Sequence, residues 1–388
     1  MAETNAKVQE AVAAGLSSGP FACSSLTRLS GGTANFVYRG NLSQPLADGT
    51  KTVIVKHAED YLASNAEFKL SAKRCLIEES ALRALNAMHG VTTTNQDESN
   101  GKYQITVKPP KLFHFHPETY TQVMEDLPDS VDLKTFFLSS SFSQGISKEW
   151  ALSIGRTLGT WLRSFHVWSA AEAQAEFSKQ LAQNTVMRHL KFSINYDSLL
   201  SMIDAYPDIL GDDNTRSIFR SVRDAAAAEL TDTHADNTGP IHGDFWSGNV
   251  LIPKTTLKDP LPTTPLFITD WELAHSGPYA LDLGQMIAEL YMLKHYKDID
   301  AGLWVIEGFA EGYGVGSITD GMAFRALIHV GVHFIFFGST TPGWGTPEQV
   351  NDLVRLGREL VVRGWEKEKE WFCAGGRVWK VLFKSMGA

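Results

Sequence analysis

Cysteine is scarce. The three present, Cys23, Cys75 and Cys373, lie far apart with no CxxC spacing. That excludes a disulfide framework and a paired-cysteine zinc site, and reduced structural thiols are expected. Long apolar runs are also missing: no unbroken stretch of about 18 apolar residues occurs, the length a membrane-spanning helix needs. The start, MAETNAKVQEAVAAG, has no basic segment followed by an apolar one, so no secretory leader is expected and a soluble cytoplasmic chain without a membrane partner is. Basic charge is in deficit, with 35 Lys and Arg against 44 Asp and Glu. A net charge of -9 argues against nucleic acid as a partner and leaves a small cationic ligand open. Internal repeats and low-complexity tracts are absent.

What remains is an ordinary globular composition on a chain of 388 residues, too long for one core. Residues 1–20 read as an amphipathic helix closed by SSGP. "LTRLSGGTANFVYRGNL" reads as strand, glycine turn and strand, and "KTVIVKHA" as a β-branched strand ending in a lysine. "SAKRCLIEESALRALNAM" has apolar positions at helical spacing. "YQITVKPPKLFHFHPETYTQVMEDL" reads as further strands. Beyond about residue 130 helical patterns dominate, with strand-like pieces near 250 and 267. A β-rich first third and an α-rich remainder predict an α+β fold of two lobes, 1–127 and 128–388.

Polar clusters punctuate this pattern. Gly31 and Gly32 sit between two strands, where bare backbone can approach a phosphate or simply make a hairpin turn. No GK[ST] follows, so this is not a Walker A loop. Lys56 closes its strand, and Glu78 or Glu79 on the next helix can hold it. "HGDFWSGN" places His242, Asp244 and Asn249 in an H-x-D-x-x-x-x-N pattern. In kinases that spacing brings a carboxylate to the acceptor hydroxyl and an amide to a metal ion. A strand then ends at Asp270 in "ITDWELAHSGPYALDLG", where a metal ligand is needed. Asp282, in "LDLG", is expected to cap the next helix and brace the loop. Phe336 and Phe337 read as helix core. His329 and His333 share a helix face but lack the pattern of zinc ligands.

Taken in order, the glycine loop, "VIVK", the helix glutamate, "MEDL", "HGDFWSGN" and "ITDWE" resemble the aminoglycoside phosphotransferase and choline kinase family. The likeness runs from Leu29 to beyond residue 340 and is greatest to the methylthioribose kinase and fungal 4-hydroxytryptamine kinase branch. The resemblance implies a bilobal protein-kinase-like fold, with residues 1–127 binding nucleotide and 128–388 carrying catalysis and acceptor. It implies ATP and Mg2+ as cofactors and a small hydroxyl compound as substrate, in a monomer or homodimer. Gly31, Gly32 and Asn35 would lie over the phosphates, and Lys56 would bind them while paired with Glu78. Met124, Glu125 and Leu127 would line the adenine hinge. Asp244, with His242, would be catalytic, and Asn249 and Asp270 would hold Mg2+. Trp246 and Glu272 would suit an ammonium on the acceptor. Gly243 stands where protein kinases carry arginine, and neither DFG nor APE occurs, which disfavours a protein substrate. A methylthioribose-type sugar kinase and a catalytically silent nucleotide-binding protein are the alternative readings.

Overall fold

Among the described residues, fourteen strands form where the chain alternates or carries β-branched runs, and helices fill most of the rest, giving the expected α+β architecture. The computed structural model describes residues 2–29, 32–97, 101–143, 145–232, 236–254 and 263–383. These fall into two compact units, Met1–His89 with Pro109–Pro128 and Gly90–Lys108 with Asp129–Ala388. The strands in chain order are β1 (Cys23–Arg28), β2 (Phe36–Leu42), β3 (Thr52–His57), β4 (Tyr61–Leu62), β5 (Asn65–Lys69), β6 (Val91–Asp97) and β7 (Gly101–Lys108). They continue as β8 (Leu112–His116), β9 (Thr121–Glu125), β10 (Ser130–Asp132), β11 (Thr238–Ile241), β12 (Val250–Pro253), β13 (Thr263–Ile268) and β14 (His275–Pro278).

The first unit is built on an antiparallel sheet in the order β1-β2-β3-β9-β8. Val53 and Val55 alternate inward from β3 and are fully buried. Helix Ala2–Gly15 lays Val8 and Val12, with Leu16 just beyond its end, into the same core as Phe36, Tyr38 and Val123. The spacing of four keeps those side chains on one face.

In the second unit the sheet order is β10-β12-β13-β7-β6. The sequence places residues 90–108 in the first lobe; the structure groups them with the second unit. The reason is pairing: β7 runs parallel to β13, from Thr263 opposite Gln104 to Phe267 opposite Lys108. Thr93 and Tyr103 of the β6–β7 hairpin also bond Thr157 and Ser153 of helix Lys148–Ser169. Parallel pairing across 159 residues leaves no local signature in a sequence.

Helix Lys148–Ser169 begins at an N-cap, Ser147, whose hydroxyl accepts from the Trp150 N–H. It meets helix Ala301–Tyr313 through glycines on both sides. A Cβ on Gly155 would lie 2.1 Å from the Val305 carbonyl oxygen, and one on Gly159 2.0 Å from that of Phe309. Gly308 and Gly312 face Leu152 and Arg156 equally tightly. This backbone contact sets the depth of an aromatic cluster in which Trp161 and Phe309 stack on Phe245, and Phe165 meets Trp271 edge-to-face. One helical stretch, Asp320–Gly338, is long and apolar enough to cross a membrane by length and composition, and 78% of its most apolar window is buried inside the unit.

After β11 the chain turns at Gly243, with φ 78°. A side chain there would be strained, and its Cβ would sit 2.3 Å from the Leu273 carbonyl oxygen. Asp282 holds this turn. Its Oδ2 accepts from the His242 N–H at 2.8 Å and its Oδ1 from the Gly243 N–H at 3.0 Å. His166 Nε2 approaches Oδ2 at 3.2 Å, and His166 Nδ1 meets Tyr313 Oη at 2.9 Å. Asp282 is thus the brace the sequence suggested but not a cap, since it lies inside helix Ala280–Lys297, which begins after Tyr279. Burial works to raise the Asp282 carboxyl, but the hydrogen bonds from His166 and from the His242 N–H outweigh it and hold the group below the usual carboxylate range. Burial pushes His166 down, so the pair is a carboxylate bonded to a neutral imidazole.

Gly159→Ala should cost about 1–3 kcal/mol by overpacking the helix crossing, measured as urea unfolding free energy; an unchanged midpoint would show that the helices can separate without loss. Asp282→Ala should cost about 1–3 kcal/mol for each buried N–H donor it leaves unmet. A loss below about 1 kcal/mol by the same measurement would mean that the turn holds without its anchor.

Candidate active site

Asp244 emerges from the anchored turn with both oxygens engaged. Its Oδ1 accepts from Gln285 Nε2 at 2.6 Å and faces Lys191 Nζ at 3.4 Å. Its Oδ2 accepts from Trp246 Nε1 at 3.2 Å and Asn249 Nδ2 at 3.0 Å. The side chain keeps 25% of its surface exposed. A carboxylate held by four donors, yet open to solvent, has a fixed rotamer and a reachable face. Lys191 also donates to Gln285 Oε1 at 2.6 Å, closing a triangle of lysine, amide and carboxylate.

Lys191 and Gln285 are residues the motif reading missed. Gln285 had a signal, since it lies three residues after Asp282 on one helix and so shares its face. Lys191 comes from helix Thr185–Phe192, 53 residues before Asp244, and only the tertiary fold brings it there.

His242, read as catalytic, lies inside the protein with both ring nitrogens bonded. It is 0% exposed. Its Nδ1 accepts from the Asp244 N–H at 3.2 Å and its Nε2 donates to the Thr269 carbonyl at 3.0 Å. Burial lowers its pKa, so the ring is neutral and both nitrogens are committed. It packs 4.4 Å from Trp271 and ties the Asp244 turn to the residue before Asp270.

Asn249 ends the short turn Ser247–Asn249 and donates from Nδ2 to the Asp244 carbonyl and Oδ2, both at 3.0 Å. With the nitrogen committed, Oδ1 is the group it presents. Asp270 follows β13 in a left-handed conformation, φ 67° and ψ 65°. Aspartate tolerates that region better than most residues, at a cost of about 1–2 kcal/mol that a working site can justify. Asn249 and Asp270 offer oxygens only, the donor type a hard divalent cation such as Mg2+ prefers. Glu272 is 2% exposed within the turn Trp271–Leu273, whose main chain is held by Asn184.

Trp246, read as suited to an ammonium on the acceptor, has an ammonium of the chain itself beside it: Lys134 Nζ lies 5.0 Å from the Trp246 centroid and 4.3 Å from that of Trp344. Lys134 also reaches Glu289 Oε2 at 3.5 Å, and Glu289 Oε1 pairs with His333 Nε2 at 2.8 Å. His329 is bonded through Nδ1 to Tyr196 Oη at 2.8 Å. Phe336 and Phe337, read as core, lie in a π-helical turn, Phe334–Gly338, and are partly buried, with Phe336 packed against the core of the second unit.

In the first unit Lys56 donates to Glu78 Oε1 at 2.9 Å and forms an ion pair with Oε2 at 2.7 Å, and both residues are buried. Glu79 instead pairs with Arg83 one turn on, so Glu78 is the partner. Gly31 lies outside the described residues, and Gly32 is exposed. Asn35, read as covering phosphates, is 3% exposed, with its Oδ1 bonded to Arg74 Nη2 at 2.8 Å. It pins the turn to the helix that carries Glu78. Met124 is buried in β9 opposite Ile54. The Glu125 N–H, one of the hinge residues expected to line the adenine, donates to the Lys111 carbonyl at 2.8 Å, and the Glu125 carboxylate accepts from the Lys111 N–H. Leu127 follows, half-buried, after Asp126, which holds Arg39 through two bonds.

No protein-family model matches the chain. It is similar to phosphotransferase FrzJ of Cladobotryum sp, with 33% identity over 360 residues, 92% of this chain and 91% of that protein. It is 24% identical over 334 residues to a 4-hydroxytryptamine kinase of Psilocybe cyanescens, covering 86% of this chain and 85% of that one. Among solved structures, a choline/ethanolamine kinase family protein of Mesorhizobium loti aligns over 93% of this chain and 98% of its own, with TM-score 0.46 and 15% identity. With one-third identity along nearly its whole length, the chain belongs to the phosphotransferase family of FrzJ, within the group to which its motifs pointed.

Proposed function

We propose that this phosphotransferase is an ATP-dependent small-molecule kinase that works with Mg2+ and phosphorylates a hydroxyl of a small, amine-bearing acceptor. The observation that carries this reading is the Asp244 carboxylate, fixed by Gln285, Lys191, Trp246 and Asn249 yet one-quarter exposed. Bound ATP supplies the phosphoryl group. Asp244 orients the acceptor hydroxyl and takes its proton. Phosphoryl transfer has a loose transition state, so positioning and charge neutralisation are what the protein must supply. Lys56, held by Glu78, binds nucleotide phosphate. Asn249 Oδ1 and Asp270 hold the metal ion. Lys191 balances the Asp244 charge and fixes its rotamer through Gln285. The amine-bearing class rests on the names of the 4-hydroxytryptamine kinase relatives.

Asp244→Asn should lower kcat by about 10²–10⁴, the usual contribution of a positioned base, while calorimetric affinity for an ATP analogue stays within a few-fold. Near wild-type turnover in a coupled ADP-release assay would remove the base assignment. Asp270→Ala should weaken Mg2+-dependent binding of the analogue by at least about tenfold, as expected for loss of one of two protein ligands. Unchanged calorimetric affinity would show that the metal is held elsewhere.

A further inference from the structure

In the first unit the turn that leads from Gly32 into β2 is held from outside itself. The Thr33 carbonyl accepts from the Ser64 N–H at 3.0 Å and the Ala34 carbonyl from the Ala63 N–H at 3.2 Å, both donors lying between β4 and β5. The Asn35 carbonyl accepts from Arg28 Nη2 at 3.2 Å. Arg74 adds a further tie. It opens helix Arg74–Leu85 and is 3% exposed. Its Nη2 donates to the Ala34 carbonyl at 2.9 Å and to Asn35 Oδ1 at 2.8 Å. Its Nη1 donates to the carbonyls of Glu59, Leu70 and Ser71, each at 2.9 Å.

These contacts close a ring. Arg74 and Glu78 lie one turn apart on the same face of their helix. Glu78 holds Lys56. Lys56 sits opposite Val37 in the pairing of β3 with β2, and β2 begins where the turn ends, at Phe36. Turn, strand, lysine, glutamate, helix and arginine therefore fix one another. A guanidinium suits the task, because it presents donors on separate nitrogens at a fixed angle, whereas a lysine ammonium is a single point. The tie also has a direction. In a planar trans peptide the C=O and the following N–H point opposite ways. With the Thr33 carbonyl turned toward the β4–β5 connection, the Ala34 N–H is turned the other way. Backbone N–H groups attract phosphate, and carbonyl oxygens repel it.

We propose that Arg74 is a positioning residue for the nucleotide: it locks the turn after Gly32 to the helix of Glu78, so that affinity for the nucleotide's phosphates depends on a side chain that touches no ligand. This rests on the kinase reading above. It assigns the lock to the phosphate end of the nucleotide, not to the base or the acceptor.

The test is calorimetric and needs no turnover. Binding of AMP-PNP with Mg2+, and of adenosine, which carries no phosphate, is measured on the full chain in wild type and three variants. Arg74→Lys keeps the charge but not the fork. Asn35→Ala cuts only the turn end of the lock and leaves Arg74 its other acceptors, so it decides the matter where Arg74→Lys does not fold. Asn35→Asp keeps an oxygen for Arg74 and adds a negative charge. AMP-PNP affinity should fall by roughly 2- to 30-fold in Arg74→Lys and Asn35→Ala, the range for residues that act on a site without contacting it, while adenosine affinity holds. Asn35→Asp should bind AMP-PNP within a few-fold of wild type. A direct phosphate contact by Asn35 would instead make the aspartate worse than the alanine, and that order overturns the lock. An equal loss for adenosine shows that Arg74 supports the fold and nothing more. Unchanged AMP-PNP affinity in Asn35→Ala overturns the lock and leaves the kinase reading standing. A wild-type chain that binds no AMP-PNP overturns the kinase reading itself, and the lock with it.

Discussion

Asp282 is the fixed point of the second unit. A buried carboxylate must be matched almost completely, because each unmet oxygen costs desolvation with no return. Here two consecutive backbone N–H groups and a neutral imidazole do the matching. Since the N–H groups belong to His242 and Gly243, satisfying Asp282 sets the path of the turn that presents Asp244. His166 belongs to helix Lys148–Ser169, so the same bonds tie that turn to the helix whose glycines meet helix Ala301–Tyr313. The chemistry of one loop therefore depends on a backbone-to-backbone contact that involves none of its residues.

The aromatic cluster works with this anchor. Trp271 and Phe245 come from the two segments that carry Asp270 and Asp244, and both pack on Trp161. The turn and the strand end cannot shift independently while those rings stay packed. His242 adds a polar tie across the same gap, through its bond to the Thr269 carbonyl. Precision at the polar surface comes from a dry interior behind it, where close packing resists small displacements.

The sequence was most legible where chemistry is concentrated in short segments. "HGDFWSGN" and "ITDWE" fold into adjoining turns of one unit, and Lys56 finds a glutamate on the following helix. Strand and helix types followed from β-branched runs and from spacings of three and four. Contributions crossing long stretches of chain were hidden. Lys191 reaches Asp244 from a separate helix, and the β6–β7 hairpin joins the second unit through parallel pairing with β13. Glu78 and Glu79 could not be told apart by type, and geometry separates them, because only Glu78 lies on the buried side beside Lys56. Asn35 and His242 looked like ligand-facing groups because their motifs are polar. Both are instead spent inside the protein on bonds that shape turns.

Lys134 gives the face of Trp246 an occupant from within the chain. Its ammonium lies between the rings of Trp246 and Trp344 and beside the Glu289 carboxylate, the surroundings a cationic ligand would seek. Because it is part of the chain, it competes at an effective concentration of order millimolar without ever diffusing away. An incoming amine that uses these rings must displace it, and its apparent affinity falls by the fraction of time the lysine stays in place. On the function proposed above, a cationic acceptor at these rings would compete with the tethered lysine and not with water alone.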